Sequence, residues 1–292
     1  MKNIIVFGGS GFLGSYIVQE LIKRNHSVIV ADIEQSPYIQ GVPFKKISIL
    51  EAEAVKGILT SEIDVVYNLA GFANLDKAIH HPVETFQLNV MGNLHVLEGC
   101  RKSGIQRFVY ASSAYAMNDK GSFYGISKLS SEKIVREYQK RFGINYTILR
   151  YGSVYSERPY ENNYIYHVVK EALQNGKIIH SGDGEEIREY IHAADAARLS
   201  ADILEKEEYL NENLMLTGVE RIRRAEVFQM INEMLGGKVQ IELKKDGYQH
   251  HYKTTPYSFQ PEASRKLVAN PYIDMGQGIL ECIKTIQTQH EE

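Results

Sequence analysis

A glycine-rich turn near the start of the chain constrains the fold more than any other feature. The segment GGSGFLG follows an apolar run and opens an amphipathic pattern, so it joins a strand to a helix. At these spacings Gly8 permits a tight turn, Gly11 lets the backbone approach a pyrophosphate, and Gly14 lets the helix lie close to the sheet. The first helical turn then presents free N–H groups to phosphate oxygens. The turn predicts a dinucleotide site that includes Phe12 and Leu13.

An acidic residue follows this turn at the distance expected of a ribose-binding carboxylate. Asp32 lies 18 residues after Gly14, at the end of the next apolar run. A carboxylate there accepts hydrogen bonds from the adenosine ribose hydroxyls and repels a 2′-phosphate. Because the nearest basic side chain, Arg24, lies at the far end of the preceding helix pattern, the sequence favours NAD over NADP. An ordinary surface aspartate in a turn is the alternative interpretation.

The first half of the chain alternates short apolar runs with helical patterns. The runs are nearly continuously apolar, as expected of strands covered on both faces. This rhythm predicts an α/β fold with a doubly wound parallel Rossmann sheet and right-handed crossovers. After residue 151 the rhythm loosens, which predicts a small C-terminal α/β lobe. We therefore divide the chain into an NAD-binding domain, residues 1–155, and a mainly substrate-binding lobe, residues 156–292, packed as one functional unit.

The individual elements follow from these patterns. The predicted strands are Ile4–Phe7, Ser27–Ala31, Phe44–Ile49, Asp64–Ala70, Arg107–Ala111, Tyr146–Arg150, Lys177–His180, Ile187–Ile191 and Asn213–Leu216. The predicted helices are Phe12–Arg24, Ala52–Leu59, Val83–Lys102, Ser127–Phe142, Tyr164–Asn175, Ala193–Glu205, Ala225–Leu235 and Met275–Gln287.

Composition excludes several classes of protein. The chain has 292 residues, a formal charge of −3 and 43% hydrophobic residues, which is unlike disordered, collagen-like or coiled-coil chains. The charge balance gives no excess of basic residues of the kind that binds nucleic acid. No apolar run reaches the ~18 residues that are needed to span a membrane. The apolar run at the start of the chain reaches the glycine turn too early for a signal peptide. The two cysteines, Cys100 and Cys282, form no disulfide framework. We therefore expect a cytoplasmic protein with neither nucleic-acid nor membrane partners.

A tyrosine and a lysine four residues apart supply groups for proton transfer. Tyr124 and Lys128 share one face if their segment is helical. A free phenol, with a pKa near ~10, is a poor base at neutral pH, but a neighbouring ammonium and a bound nicotinamide cation both lower that pKa. Tyr124 then removes a hydroxyl proton while hydride leaves the same carbon, and Ser113 hydrogen-bonds the same oxygen. An exposed helix pair is the alternative, because 19 tyrosines make the spacing easy to meet by chance.

Together these motifs resemble an extended short-chain dehydrogenase/reductase, of the NAD-dependent epimerase/dehydratase group that acts on nucleotide sugars. The resemblance covers nearly the whole chain. The segments that carry it are residues 8–14, Asn68–Gly71, Asn89–Asn93, Val109–Ser113, Tyr124–Lys128 and Leu149–Gly152. It implies NAD as the cofactor, contacted by Gly8, Gly11, Phe12, Leu13, Gly14, Asp32, Leu69, Ala70, Gly71, Asn89, Tyr124, Lys128 and Tyr151.

The resemblance also implies substrate contacts. Residues 182–192 are similar to the segment that contacts the nucleotide diphosphate in this group. Arg188 is the implied phosphate ligand, because a guanidinium fork suits phosphate oxygens; a surface salt bridge is the alternative. Ser153 stands where the group usually has an Asn that contacts nucleotide or substrate, and Ser113 is expected to hold the sugar hydroxyl.

Departures from the group bear on the reaction. Only 11 positions separate Ser113 from Tyr124, whereas the group usually has a longer loop there, lying over the sugar pocket. The pocket is therefore either more open or roofed from elsewhere in the chain. No Asp-Glu pair follows Ser113, and 4,6-dehydratases of the group use one to eliminate water, so dehydratase activity is disfavoured.

The leading hypothesis is NAD-dependent oxidoreduction at C4 of a nucleotide-activated sugar, with a 4-epimerase as the first choice. If the keto sugar cannot turn over in the site, the same residues give a 4-dehydrogenase or a 4-keto reductase. A rival from another class is a non-catalytic dinucleotide-binding regulator. The intact set of Ser113, Tyr124 and Lys128 counts against that rival, whereas the short loop and Ser153 count mildly for it.

The remaining features predict less. The histidine pairs 80–81 and 250–251 are adjacent and cannot share a metal as i, i+4 residues do, so we predict no metal site. The tyrosine-rich stretches 151–166 and 248–257 either pack loops or line a pocket. By analogy with the group we expect a homodimer that pairs the helices at residues 83–102 and 127–142.

Overall fold

A parallel sheet of eight strands forms the centre of the protein. The structure is a computed structural model that describes residues 1–117, 119–244, 251–254 and 264–291. The strands are β1 (Asn3–Phe7), β2 (Ser27–Asp32), β3 (Phe44–Lys46), β4 (Val65–Asn68), β5 (Arg107–Ser113), β6 (Asn145–Tyr151), β7 (Ser153–Tyr155), β8 (Lys177–Ser181), β9 (Ile187–Arg188), β10 (Tyr190–His192), β11 (Glu212–Leu216), β12 (Ile222–Arg223), β13 (Gln240–Lys244) and β14 (Arg265–Leu267). The helices are α1 (Phe12–Lys23), α2 (Ala52–Ile58), α3 (Leu75–His80), α4 (Pro82–Phe86), α5 (Asn93–Ser103), α6 (Ser122–Phe142), α7 (Tyr164–Asn175), α8 (Ala193–Asp202), α9 (Arg224–Met234) and α10 (Met275–Glu291).

The sheet is covered on both faces. Its strand order is β14-β11-β6-β5-β4-β1-β2-β3, and its pairings are parallel. Along β1, Ile4 and Val6 pack beneath α1 and α8, whereas Ile5 and Phe7 pack beneath α2 and α5. Because successive side chains point to opposite faces, a strand buried on both sides must be apolar throughout. The predicted doubly wound Rossmann sheet is therefore confirmed.

Two strands of the central sheet come from the second half of the chain. β11 pairs with β6, placing Leu214 opposite Leu149, and β14 pairs with β11 in turn. The sequence predicted a strand at Asn213–Leu216 but placed it in the small lobe, because an apolar run does not reveal which neighbour it will pair with. The two halves therefore share one sheet, and the division near residue 155 stays a prediction about roles.

Several element bounds differ from those predicted. α6 begins at Ser122, five residues before the predicted start, so Tyr124 lies inside its first turn. The single helix predicted at residues 83–102 consists of α4, a π-helical turn at Gln87–Gly92 and α5. α8 ends at Asp202, before the predicted Glu205, and the strand predicted at Ile187–Ile191 is two short strands, β9 and β10. α3 was not predicted.

The second half also builds a small lobe with its own core. Apolar side chains of α7, α9 and α10 pack together, among them Val169, Phe228 and Ile283. α7 has the predicted bounds, because the Asn163 side chain caps its start and Gly176 ends it in a left-handed conformation. Short strand pairs, β7 with β10, β8 with β13 and β9 with β12, connect the lobe to the sheet. Among the described helices, none is both long enough and apolar enough to cross a membrane.

Candidate active site

The glycine turn has the shape that close backbone packing requires. Gly8 has φ +75°, and a Cβ there would collide with the backbone of Ala70 at the end of β4. A Cβ on Gly14 would collide with the carbonyl oxygen of Gly8. Gly11 precedes α1 in an extended conformation, with no side chain capping the helix. The first N–H groups of α1 are therefore left for a ligand, as the sequence predicts.

Asp32 stabilises this turn by accepting hydrogen bonds from the backbone. Its carboxylate accepts the backbone N–H of Ser10 at 2.9 Å and that of Ile33 at 2.7 Å. Burial raises the pKa of Asp32, and these backbone N–H groups partly oppose the rise. The residue is therefore part of the loop that would hold a ribose, and is not an isolated surface turn.

One cavity collects most of the predicted cofactor and catalytic residues. It measures about 460 Å³ and lies at the carboxyl ends of the sheet strands. Open α/β sheets bind ligands at this edge. The predicted residues that line it are Gly8, Gly11, Phe12, Leu13, Gly14, Asp32, Leu69, Ala70, Gly71, Ser113, Tyr124, Lys128 and Tyr151.

Asn89 lies behind that cavity and fixes part of its wall. Its side-chain carbonyl accepts the backbone N–H of Phe72 at 2.7 Å, and its amide donates to the Phe72 carbonyl and to Ser127 Oγ. The backbone carbonyl of Asn89 accepts a hydrogen bond from Ser131 Oγ at 2.6 Å. Asn89 lies in the π-helical turn at Gln87–Gly92, a kind of turn that often occurs at functional sites. Asn89 thus ties the loop after β4 to α6.

Ser113, Tyr124 and Lys128 meet in the wall of the cavity. Tyr124 is 9% exposed and Lys128 is 5% exposed, so the alternative of an exposed helix pair is wrong. The Ser113 side chain lies close enough to Tyr124 to lower the pKa of its phenol. Lys128 Nζ donates to the Ala111 carbonyl at 2.8 Å and lies 5.9 Å from the centre of the Tyr124 ring. β5 positions the serine, and the first two turns of α6 position the other two groups.

Burial is the main influence on the two titratable groups of this trio. It raises the pKa of Tyr124, although the Ser113 side chain opposes the rise. Burial also lowers the pKa of Lys128 to about 8, opposed by the charge of Glu132. In the protein alone burial is thus the largest influence on the pKa of Tyr124, and the lowering predicted from the ammonium and a bound nicotinamide cation stays a prediction.

Glu132 was missed by the sequence analysis and lies at the centre of a buried network. It is fully buried and accepts two hydrogen bonds from Arg150 on β6, at 2.8 and 2.6 Å. Its carboxylate also accepts the hydroxyl of Ser112, next to Ser113, at 2.6 Å. Arg150 reaches on to Ser264 at 2.7 Å. The signal in the sequence was the spacing, since Glu132 lies one helical turn after Lys128.

A second cavity, about 520 Å³ in volume, adjoins the first. Ala73 and Asn162 line both cavities, and the second continues along Tyr164, His180 and Arg224. Tyr164 packs against the guanidinium of Arg224, whose carbon lies 4.1 Å from the ring centre. Arg224 was not predicted as a site residue, because no motif marks it in the sequence. The two cavities together form a cleft that runs from the glycine turn toward the small lobe.

Of the two predicted substrate ligands of the second half, Ser153 and Arg188, neither lines either of the two cavities. Ser153 pairs with Tyr190 between β7 and β10, and its neighbours Gly152 and Val154 line the first cavity. Arg188 is 1% exposed, so the alternative of a surface salt bridge is wrong. Its guanidinium carbon lies 4.3 Å from the ring centre of Tyr252, which covers it.

The tyrosine-rich stretches divide between the two predicted roles. In residues 151–166, Tyr151 and Tyr164 line cavities, whereas Tyr155 and Tyr166 are buried in the lobe core. Of the stretch 248–257 and the histidine pair 250–251, only residues 251–254 fall within the described part of the chain.

Three potential metal ligands meet at one place among the described residues. Atoms of Glu157, His192 and Glu281 lie within 4.8 Å of one another. However, His192 Nδ1 accepts the backbone N–H of Ala194, so the neutral ring carries its proton on Nε2. Nε2 is the atom that faces the two carboxylates, at 3.4 and 3.7 Å. This orientation favours an imidazole–carboxylate contact, and the expectation of no metal stays a prediction.

Comparison with known proteins agrees with this geometry. The family model described as the NAD dependent epimerase/dehydratase family matches residues 4–215. A UDP-glucose 4-epimerase of Neisseria meningitidis is 30% identical over 68% of this chain and 71% of its own length. An uncharacterized UDP-glucose epimerase of Bacillus subtilis is 28% identical over 81% of this chain and 83% of its own. A UDP-glucuronic acid 4-epimerase of Bacillus cereus, solved with UDP-glucuronic acid and NAD, shares the fold with a TM-score of 0.85 at 23% identity, over 98% of this chain and 99% of that one.

Proposed function

This chain belongs to the NAD-dependent epimerase/dehydratase family, and we propose that it is a 4-epimerase of a nucleotide-activated sugar. The observation that carries the proposal is the single cavity in which the glycine turn, Ser113, Tyr124 and Lys128 meet. A dinucleotide held by the turn and a hydroxyl held by Ser113 and Tyr124 would then share one enclosed space.

The cofactor side of the cleft fits NAD. The free N–H groups at the start of α1 suit a pyrophosphate, and the Asp32 carboxylate suits two ribose hydroxyls while disfavouring a 2′-phosphate. Leu69, Ala70, Gly71 and Tyr151 provide the remaining wall, and Asn89 holds that wall in place. When bound by these residues, NAD would supply reversible hydride transfer at C4.

The catalytic residues have complementary roles. Ser113 holds the C4 hydroxyl, and Tyr124 removes its proton as the C4 hydride departs, leaving a ketone. Lys128 stabilises the tyrosinate and binds the ribose next to the nicotinamide. Once the keto sugar has turned its other face to the cofactor side of the cleft, Tyr124 would return the proton to the C4 oxygen. Each step conserves protons and electrons, so no external oxidant is required.

The substrate side of the cleft fits a nucleoside diphosphate. We assign Arg188 to the diphosphate, because it lies in the segment 182–192 that resembles the diphosphate-binding segment of the family, and a guanidinium fork suits phosphate oxygens. Ser153 is assigned to the nucleotide or sugar through its position beside the cavity wall. The relatives named for UDP-sugar epimerisation support a nucleotide sugar as the substrate class.

Incubation with a panel of UDP-, GDP- and dTDP-sugars tests the proposal. The expected result by nuclear magnetic resonance is a product with inverted C4 configuration and no net NADH. Stoichiometric NADH would indicate a 4-dehydrogenase, and consumption of added NADH with a 4-keto sugar would indicate a reductase. If no sugar reacts while the protein retains NAD, the non-catalytic regulator is favoured over the enzyme.

The same proposal includes a homodimer in a reducing cytoplasmic compartment. Exposed apolar side chains lie on the segment 83–102 and on α6, among them Val83 at 70%, Met91 at 46% and Ile126 at 55% exposure. Cys100 and Cys282 are buried free thiols, which suits a reducing compartment. Light scattering should give twice the chain mass, and Ile126→Glu should give monomers, whereas Ile22→Glu on α1 should not. A monomeric wild type at micromolar concentration contradicts the dimer.

A further inference from the structure

The short segment that follows Ser113 begins with a compact turn. It forms a 3-10 turn at Ala114–Met117 that packs against α6. Ala114 and Met117 are buried in a small cluster with Met215, and Tyr252 closes that cluster from outside. The cover over this region therefore comes from a segment that is more than a hundred residues away in the chain.

Tyr252 occupies a well-defined position in this cover. It is 5% exposed, and its ring centre lies 4.6 Å from that of Tyr115. Arg188 packs on its ring and also donates to the Lys253 carbonyl, which accepts the backbone N–H of Ile187 at 2.8 Å. Residues 251–253 are thus held along one side by β9.

A chain of hydrogen bonds fixes the other side of the same segment. The Tyr115 hydroxyl lies 2.6 Å from His251 Nδ1, and His251 Nε2 lies 3.1 Å from Asp76 Oδ1. One neutral tautomer satisfies both contacts, since the phenol donates to Nδ1 and Nε2–H donates to the carboxylate. Asp76 belongs to α3, and Tyr115 follows β5, so the chain crosses the cleft from the sheet to the segment at residue 251.

Through Tyr115, this hydrogen-bonded chain also contacts Tyr124, the catalytic tyrosine. The Tyr115 ring packs edge-on to Tyr124, with ring centres 6.3 Å apart. Leu75, beside Asp76, also belongs to the apolar cluster around Tyr124. His251 and Asp76 line the second cavity, next to the one that contains Ser113 and Tyr124. Any sugar placed between the two cavities would lie against this group.

We propose that Asp76, His251 and Tyr115 are positioning residues that hold Tyr252 in place as the roof of the sugar pocket, with the Tyr115 ring packed on both Tyr252 and Tyr124. The inference rests on the proposed function and deepens it. A roof of two phenols excludes water from the carbon that becomes a ketone and limits the space for the sugar to turn. It restricts the substrates to nucleotide sugars that fit beneath Tyr252.

The chain contains no tryptophan, so Tyr252→Trp introduces a single fluorescent reporter at the roof. In the full-length protein its emission should be blue-shifted and protected from iodide. Adding Tyr115→Phe or His251→Ala should shift the emission to the red and increase iodide quenching. His26→Ala, at the opposite end of the sheet, is the matched control and should change neither. Equal quenching in all these variants overturns the proposal.

Kinetics of variants that retain Tyr252 supply a second test. Loss of one hydrogen bond in the chain should raise KM for the nucleotide sugar about fivefold to tenfold. Bound NAD should stay unchanged, and the double variant Tyr115→Phe/His251→Ala should be no worse than its more damaging single change. Additive losses, or equal losses of NAD, contradict a shared positioning role. If the wild type converts no sugar, the proposed function falls, and the fluorescence alone decides whether the chain holds the roof.

Discussion

The cofactor side of the cleft is built from segments close together in the sequence, whereas the sugar side is built from segments far apart. On the cofactor side, the glycine turn, Asp32 and the loop after β4 all lie within the first 71 residues. On the sugar side, Arg150 reaches Ser264, Tyr115 reaches His251, and Arg188 packs on Tyr252. A local motif fixes its own geometry, whereas a distant contact depends on the completed fold. The two sides should therefore respond differently to substitution.

The largest effect is expected where the two sides meet. Tyr124→Phe removes the hydroxyl that transfers the proton and keeps the ring in its apolar cluster. Turnover should fall about 10²- to 10⁴-fold, the usual contribution of a general acid–base group. Retained NAD, measured by mass spectrometry of the released cofactor, should match that of the wild type. A variant with wild-type turnover would show that Tyr124 is not the base.

Glu132→Gln tests how far the sugar side depends on contacts within the completed fold. The substitution keeps the shape of the side chain but leaves the buried charge of Arg150 without its partner. Breaking such a pair costs about 3–5 kcal/mol of unfolding free energy. Urea denaturation measures the loss, and Glu137→Gln, at an exposed pair on the same helix, should cost less than ~1 kcal/mol. Equal losses would mean that the buried network does not hold the strands.

Lys128→Met should separate stability from activity. Burial lowers the pKa of Lys128 from 10.5 to about 8, so the folded state binds fewer protons than the unfolded state between these values. Wild-type stability therefore rises with pH across that window, and below it the protein bears the full penalty, on the order of 1–3 kcal/mol. The variant should be more stable at pH 7 but inactive, and its advantage should shrink by pH 10. A pH-independent difference in urea denaturation contradicts this account.

The smallest effect is expected at the ribose. Asp32→Asn keeps an oxygen for the Ser10 N–H but removes the charge that repels a 2′-phosphate. The preference for NAD over NADP should fall about tenfold, equal to ~1.4 kcal/mol, without a change in KM for the sugar. Asp64→Asn is the control, because it changes a carboxylate that accepts the Asn3 N–H at the opposite end of the sheet. A changed sugar KM would mean that the two sides are not independent.

The sequence predicted those parts of the fold and of the site that local sequence patterns determine. The sheet, the glycine turn, Asp32 and the trio of Ser113, Tyr124 and Lys128 follow from periodicity and spacing, and the predicted trio lies in one cavity. It did not predict the π-helical turn at Gln87–Gly92, because such a turn reflects how Asn89 bonds to Phe72 and Ser131 in the folded protein. The raised pKa of Tyr124 was also missed, because desolvation depends on which groups surround the phenol.

On the sugar side the sequence did not show which residues cover the pocket. The shortness of the segment after Ser113 indicated that something else must close it, but no pattern pointed to Tyr252. Arg224 is equally unmarked, since a single charged residue in a helix is usually solvated. Pairing partners such as Tyr115 and His251 become visible only once the chain is folded.

The shared sheet has a consequence for exchanging parts between relatives. A chimera joined near residue 155 would import β11 and β14 together with the donor's specificity residues, and both strands must fit the recipient's β6. Register is the critical variable, because a slip of one residue would turn Leu214 and Leu216 to the opposite face of the sheet. Grafts that take only the loops at the carboxyl edge, and keep Glu212–Leu216 and Arg265–Leu267 from the recipient, are the ones that should fold.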